Sequence, residues 1–208
     1  PADVSHSDWD SRLEQDPHNR RSLHALRLGL RLVKGLPRGE GERIAACRPS
    51  VANEAPFSNL ADIMRRADVS ANALQAIAAA DGFGSLGLNR RQAFWQVRAL
   101  AKQRWHEMPL FAHATRRHDD IAGTEEQVTL PATLPGEEVA ADYRSLGLSL
   151  KAHPITLLEP HLQAAGWQGC SAGLDARDGL RLRLAGLVTM RQRPGTASGT
   201  VFLTLEEG

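Results

Sequence analysis

ALQAIAAADGFGSLGLNRRQAFWQV, residues Ala73 to Val97, is the stretch on which the reading of this chain turns. Leu74, Ile77 and Ala78 recur at the spacing of one helix face, so the spacing predicts a helix that ends near Asp81. Gly82, Gly84 and Gly87 follow within a few residues. Glycine accepts positive φ and lets a second backbone come close, so a tight turn is expected there. Asn89 suits the cap of a new helix, whose apolar face carries Ala93, Phe94, Val97, Leu100, Ala101 and Trp105. Arg90 and Arg91 fall in the first turn of that helix. A helix start offers free N–H groups and the positive end of the dipole, which together attract phosphate. A helix-hairpin-helix of this kind grips a nucleic-acid backbone without reading bases. The same spacing also serves a plain helical hairpin whose glycines only make the turn.

Working outward, Ser58 and Ser70 are expected to cap two preceding helices, the first with Leu60, Ile63, Met64 and Ala67 on one face. Further upstream, Leu26, Leu28, Leu30 and Leu32 alternate with Arg27, Gly29 and Arg31, a period of two that predicts a strand. Gly35, Pro37, Gly39 and Gly41 break it, and a short helix is expected over Glu42–Arg48, stopped by Pro49. The turn from Lys34 to Arg43 suits either a second phosphate grip or a simple strand-to-helix connection. Residues 1–20 read as polar and irregular, with Trp9 their one large apolar side chain.

Downstream, residues 112–138 read as a loop, 137–146 as a helix, and the run from His153 as another helix perturbed by Pro160. Leu180, Leu182 and Leu184 alternate with arginines and run into AGLVTM, and a Pro194-Gly195 turn leads to Val201, Leu203 and Leu205. This is a β-hairpin pattern with a long loop, and it sets a domain boundary near 170–179. Two strands alone cannot bury a core.

At 42% apolar and 24% charged residues, the composition is that of a soluble globular protein. A net charge of +1 does not itself argue for nucleic acid, but arginines cluster in 20–48 and 90–104 while acids collect in 119–142. Two distant cysteines, Cys47 and Cys170, exclude a CxxC zinc site and any disulfide framework, which fits a reducing, cytoplasmic setting. No apolar run is long enough to span a membrane and no signal-peptide pattern is present. The chain starts at Pro1 and stops directly after a strand-like run, so a piece of a longer protein is expected. Asp8-Trp9-Asp10 has the outline of a paired-carboxylate metal site, but it and Asp119-Asp120 read as solvated charge clusters. No pairing of histidines supports a metal or a Ser–His–Asp set, so neither catalytic nor metal residues are assigned. His153 reads as a helix-start residue.

Several blocks in order carry a family resemblance: LRLGLR from Leu26 with KGL at Lys34 and ERI at Glu42, PFSNLAD from Pro56, DGFGSLGLNRRQA from Asp81, DYRSLGLSLKAHP from Asp142, and LRLAGLVTMRQRPGTASGTVFLTLEE from Leu182. Their order and spacing, from Val4 to Glu207, are similar to the error-prone branch of the bacterial polymerase III alpha-subunit family, the C-family DNA polymerases. The resemblance implies an α+β chain: a mainly helical tandem helix-hairpin-helix domain preceded by a strand and followed by the first strands of an OB-fold. It implies the end of the fingers at 1–34, the hairpin domain at 35–111, a loop and helical connector at 112–170, and an incomplete OB-fold start at 171–208. Carried over, backbone contacts to duplex and template DNA fall to Gly82, Gly84, Ser85, Leu86, Gly87, Arg90 and Arg91, with Asn89 heading the helix, and in the first hairpin to Gly35, Gly39, Gly41 and Arg43. Glu107-Met108-Pro109-Leu110-Phe111 resembles the QxxLF peptide that holds the sliding clamp, with Glu107 where glutamine is expected; Met108, Leu110 and Phe111 complete the motif. Nucleotidyl transfer with magnesium, damage-induced lesion bypass and lesion-bypass accessory proteins are implied for the whole enzyme, whose palm aspartates lie upstream of this chain. The alternative is a stand-alone, non-catalytic DNA-binding or protein-interaction module.

Overall fold

The computed structural model describes residues 1–14, 24–48, 57–103, 131, 133–196 and 199–207. Among these the chain forms strands β1 (Arg12–Glu14) and β2 (Ala25–Arg27), helices α1 (Arg38–Ala46), α2 (Leu60–Ala67), α3 (Ala71–Ala79), α4 (Arg90–Gln103), α5 (Pro135–Ser145) and α6 (Pro154–Ala164), and strands β3 (Leu187–Gln192) and β4 (Phe202–Glu206). The chain is thus mixed: mainly helical, with two small antiparallel sheets, β1–β2 and β3–β4. It divides into two compact units, Pro1–Thr133 with Ala141–Leu148 and Leu134–Ala140 with Ser149–Gly208, so that the division passes through α5.

The first unit is built around one apolar cluster. Leu60 and Ile63 of α2, Leu74 and Ile77 of α3, and Val97 of α4 meet Val4, Leu30, Ile44, Val69 and Phe83 there, all essentially without exposure. Each such side chain contributes about 1.5–3 kcal/mol by leaving water. The helix starts are capped locally. Ser70 Oγ accepts from the Ala73 amide at 3.1 Å, as its position in the sequence predicts. Asn89 Oδ1 accepts from the Gln92 amide at 2.9 Å while Gln92 Oε1 accepts from the Asn89 amide at 3.1 Å, a reciprocal capping box. At α2 the cap is Asn59 rather than Ser58: Asn59 Oδ1 accepts from the Asp62 amide, and Ser58 instead donates its own amide to the Asp62 carboxylate.

The predicted strand over 26–32 is cut short. β2 ends at Arg27, and Leu30–Leu32 form a single 3-10 turn. The cause is the close crossing of Trp9–Ser11: a Cβ on Gly29 would lie 2.5 Å from the Trp9 carbonyl oxygen, and Leu30 and Arg31 donate their amides to Asp8 and Trp9 at 2.9 and 3.0 Å. Helix α1 starts at Arg38, capped by Pro37, so the expected start at Glu42 is a full turn late. Residues 1–7 form no helix or strand, as expected, yet they are docked: Ala2, Asp3, Val4 and Ser7 are buried.

In the second unit α5 begins at Pro135, inside the stretch expected to be loop, and α6 begins directly after His153, whose Nδ1 accepts from the Ile155 amide at 3.3 Å. Pro160 lies inside α6. The β-hairpin is present, with a register shift between Val188 and Met190. Its first strand starts later than the alternating leucines suggest, because Leu184 makes only an isolated parallel bridge with Gln168. Val188, Met190, Phe202, Leu203 and Leu205 remain exposed along the two strands.

Candidate nucleic-acid interface

The site is the turn between α3 and α4. Helix α3 ends in a Schellman pattern: the Gly82 amide donates to Ile77 O at 3.0 Å and the Asp81 amide to Ala78 O at 3.1 Å. Asp81 itself takes the left-handed conformation, at φ 58°. Gly82 is required by closeness, since a Cβ there would lie 2.7 Å from Ile77 Cγ2. Gly87 is required by its backbone, with φ 70° and open space around it. Between them Phe83, only 1% exposed, plugs the turn into the core, and Gly84–Leu86 make one 3-10 turn.

The inner side of this turn is occupied by the beginning of the chain. Val4 donates its amide to Gly82 O at 3.0 Å, the Ser85 amide donates to Asp3 Oδ2 at 2.9 Å, and the Ser85 and Ser5 hydroxyls meet at 2.8 Å. Burial works against the Asp3 charge, but hydrogen bonds from the Ser85 backbone and side chain, the Ser5 amide and the His6 ring outweigh it and hold its carboxyl below the usual range. The outer side faces solvent. Gly84, Ser85, Gly87, Asn89 and Arg91 are exposed and Leu86 is half-buried, while Gly82 is buried and shapes the turn from within.

Arg90 is placed differently from expectation. Its guanidinium points inward, with 9% side-chain exposure, and forms an ion pair with Asp142 of α5, itself 5% exposed. Asp142 belongs to the DYRSLGL block, so two sequence blocks read separately are joined by one buried charge pair. Arg91 lies on the surface and donates to the Pro131 carbonyl oxygen at 2.8 Å.

Residues of the first turn also differ from the expected role. Gly35 is a true turn glycine at φ 85°, but a single 3-10 turn precedes it, and Gly39 and Gly41 lie within α1. Gly41 makes room for the Trp9 ring, whose Cε3 lies 2.7 Å from where a Cβ would be. Arg43 donates to Ala67 O and Asp68 O at 3.0 and 2.9 Å, committing its guanidinium to the end of α2. Glu40 accepts from the Ser70 amide at 2.6 Å. Helix α1 therefore braces the α2–α3 corner with one charge of each sign.

The clamp-like residues Glu107, Met108, Leu110 and Phe111 and the pair Asp119-Asp120 lie outside the described residues. Asp8 is held by Arg12 and Arg48, and Asp10 by Arg31, so these carboxylates are engaged in ion pairs. Among the described residues, no group of three His, Cys, Asp or Glu side chains is placed to hold a metal ion, and no helix is long and apolar enough to cross a membrane.

One feature of α4 was not read from the sequence. Arg91, Trp95, Arg98 and Lys102 are all exposed, and their 4-3-4 spacing puts them on one stripe. The apolar spacing of α4 marks Phe94 and Val97 as its inward face and carries no sign that the indole between them is exposed.

Residues 1–93 match the family described as helix-hairpin-helix motif. The relatives are more specific. The chain is 42% identical over 207 residues to the error-prone DNA polymerase of Ralstonia nicotianae, 40% over 208 residues to that of Brucella abortus, and 44% over 208 residues to that of Bordetella parapertussis. In each case all of this chain is covered, and it spans 18% of the relative's length. The chain is homologous along its whole length to a segment of the error-prone DNA polymerases.

Proposed function

We propose that this chain is part of an error-prone DNA-directed DNA polymerase and that its share of the work is to hold the backbone of duplex DNA. The observation that carries the reading is the exposed turn Gly84–Gly87 leading into α4, a 14-residue helix with no acidic residue and a surface arginine in its first turn. A surface helix of no further role gains by placing acids at its start, where cations oppose the dipole by about 0.3–1 kcal/mol each. A bound phosphate reverses that balance. Contacts fall to Gly84, Ser85, Gly87 and Arg91, with Asn89 holding the helix start. Since Arg90 is turned into the protein, it contributes through its backbone N–H alone.

The wider reading rests on the family resemblance of the sequence: damage-induced lesion bypass in the cytoplasm, nucleotidyl transfer with magnesium elsewhere in the whole enzyme, and β3–β4 as the first strands of an OB-fold. Leu110 and Phe111 are proposed to dock on a sliding clamp, and accessory lesion-bypass proteins are further partners of the whole enzyme. The carboxylates described here do not fit a magnesium pair, because Asp8 and Asp10 are taken by arginines. No catalytic step is assigned to this chain, and the purified chain is expected not to extend a primer. Fluorescence anisotropy with a blunt labelled duplex tests the binding. Arg91→Glu is expected to fold normally, to weaken binding several-fold and to lower the slope of log affinity on log salt by about 0.9 for each phosphate it ceases to neutralise. Unchanged affinity and slope in the folded variant would remove Arg91 from the site.

A further inference from the structure

The stripe Arg91, Trp95, Arg98 and Lys102 is not explained by a grip at the helical hairpin turn. At 100° per residue these four positions fall within an arc of about 60° and run about 16 Å along α4. No acid interrupts them, since α4 contains none. Trp95 stands in the middle with 59% of its surface exposed, a large apolar area for one side chain to leave in water. A duplex backbone needs only the cations; it offers no flat apolar partner for an indole. A single strand offers both, because its phosphates follow a line of positive charge while an unstacked base lies against an aromatic face.

We propose that the outer face of α4 is a binding surface for single-stranded DNA, in which a base stacks on Trp95 and the flanking phosphates are held by Arg91, Arg98 and Lys102. The surface adjoins the helical hairpin turn, since Arg91 belongs to both, so the strand it takes is an unpaired tail continuing from a duplex held at the turn. In that arrangement the inference rests on the duplex-binding reading. Stacking tolerates any base, so the surface selects unpaired over paired DNA rather than one sequence over another.

The test uses the full chain and three labelled ligands: a blunt duplex, the same duplex with a single-stranded tail, and that duplex with an abasic tail that keeps the phosphates and lacks the bases. The expected result is that the natural tail raises affinity and that Trp95→Ala lowers it by about five-fold or more for the natural tail only. Trp95→Phe keeps most of the gain, and the abasic tail binds the unchanged protein and Trp95→Ala equally. Thermal melting checks that both variants fold as the parent does, which the exposure of Trp95 favours. Equal loss on blunt and tailed duplexes, or no loss on either, would overturn the stacking surface. Absence of any binding to the blunt duplex would instead overturn the hairpin grip, and an isolated oligothymidylate would then decide the α4 surface by itself.

Discussion

Arg90 shows how a residue type can be right and its role wrong. The sequence places two arginines at a helix start, and phosphate chemistry suits both. Helical geometry separates them by a rotation of about 100°, which sends one outward and the other into the protein. What the sequence does not display is Asp142, the partner that makes an inward arginine tolerable, because it lies 52 residues away. Removing one member of a buried pair leaves the other charge without compensation, at a cost of about 3–5 kcal/mol. Asp142→Asn is therefore expected to lower stability by that amount in urea unfolding, and a paired replacement of Arg90 and Asp142 by apolar residues to recover most of it. An Asp142→Asn variant as stable as the parent would show the pair to be idle. Asp3 gives a second residue-scale test. Folding lowers its pKa, so its contribution is complete above the unfolded value of about 3.9 and fades as pH falls through the folded value. Asp3→Asn is expected to melt below the parent near neutrality, with the gap narrowing towards about pH 3. A gap that stays constant over that range would mean the Asp3 charge has no part in it.

Among the elements, α2, α3 and α4 were legible because apolar spacing and capping residues act within a few positions of one another. The capping box at Asn89 and the cap at Ser70 follow from local hydrogen bonding that any three or four consecutive residues reveal. The strand over 26–32 was misjudged because its alternation is real but its backbone is bent by Trp9–Ser11, a contact no window of sequence contains. The glycines of the helical hairpin turn likewise look equivalent on paper and are not. Gly82 leaves no room for a methyl group against Ile77, so Gly82→Ala is expected to cost about 1–3 kcal/mol. Gly84 has only Asp3 Oδ2 near it, at 3.8 Å, so Gly84→Ala is expected to stay within about 0.5 kcal/mol of the parent. Chemical denaturation of the two variants compares them directly, and equal losses would contradict the geometry. Any effect of Gly84→Ala on duplex binding then belongs to the surface and not to the fold.

For the molecule as a whole, the division of labour between the two units follows from what each buries. The first has a continuous core reaching from Val4 to Val97, and the second contains a β-hairpin whose apolar side chains lie largely exposed on both strands. Backbone amides of α3 and α4 are expected to be protected against hydrogen exchange up to the global stability, and those of β3 and β4 to exchange by local opening at far lower free energy. Protection of β3–β4 equal to that of α3 would show that the second unit unfolds only with the first. The likeness to the error-prone DNA polymerases was legible from the order of several blocks, which no local pattern reproduces. The outward stripe of α4 was not, because exposure is a property of the folded chain, and Trp95 shares its residue type with side chains that fill cores.

The docking of Asp3 and Val4 on Gly82 and Ser85 sets an order of events during synthesis. The residues that complete the helical hairpin turn leave the ribosome first and must wait for a partner made about 80 residues later. At a synthesis rate of roughly 5–20 residues per second the wait is about 4–16 s. Through that interval α1 and α2 can form while Asp3 and Val4 have no turn to line, so the hairpin turn closes late, when residues made early meet residues made about 80 positions later. A ribosome paused before Ser85 would hold helices without the hairpin, and emergence of the turn and of α4 would let Asp3 and Val4 dock.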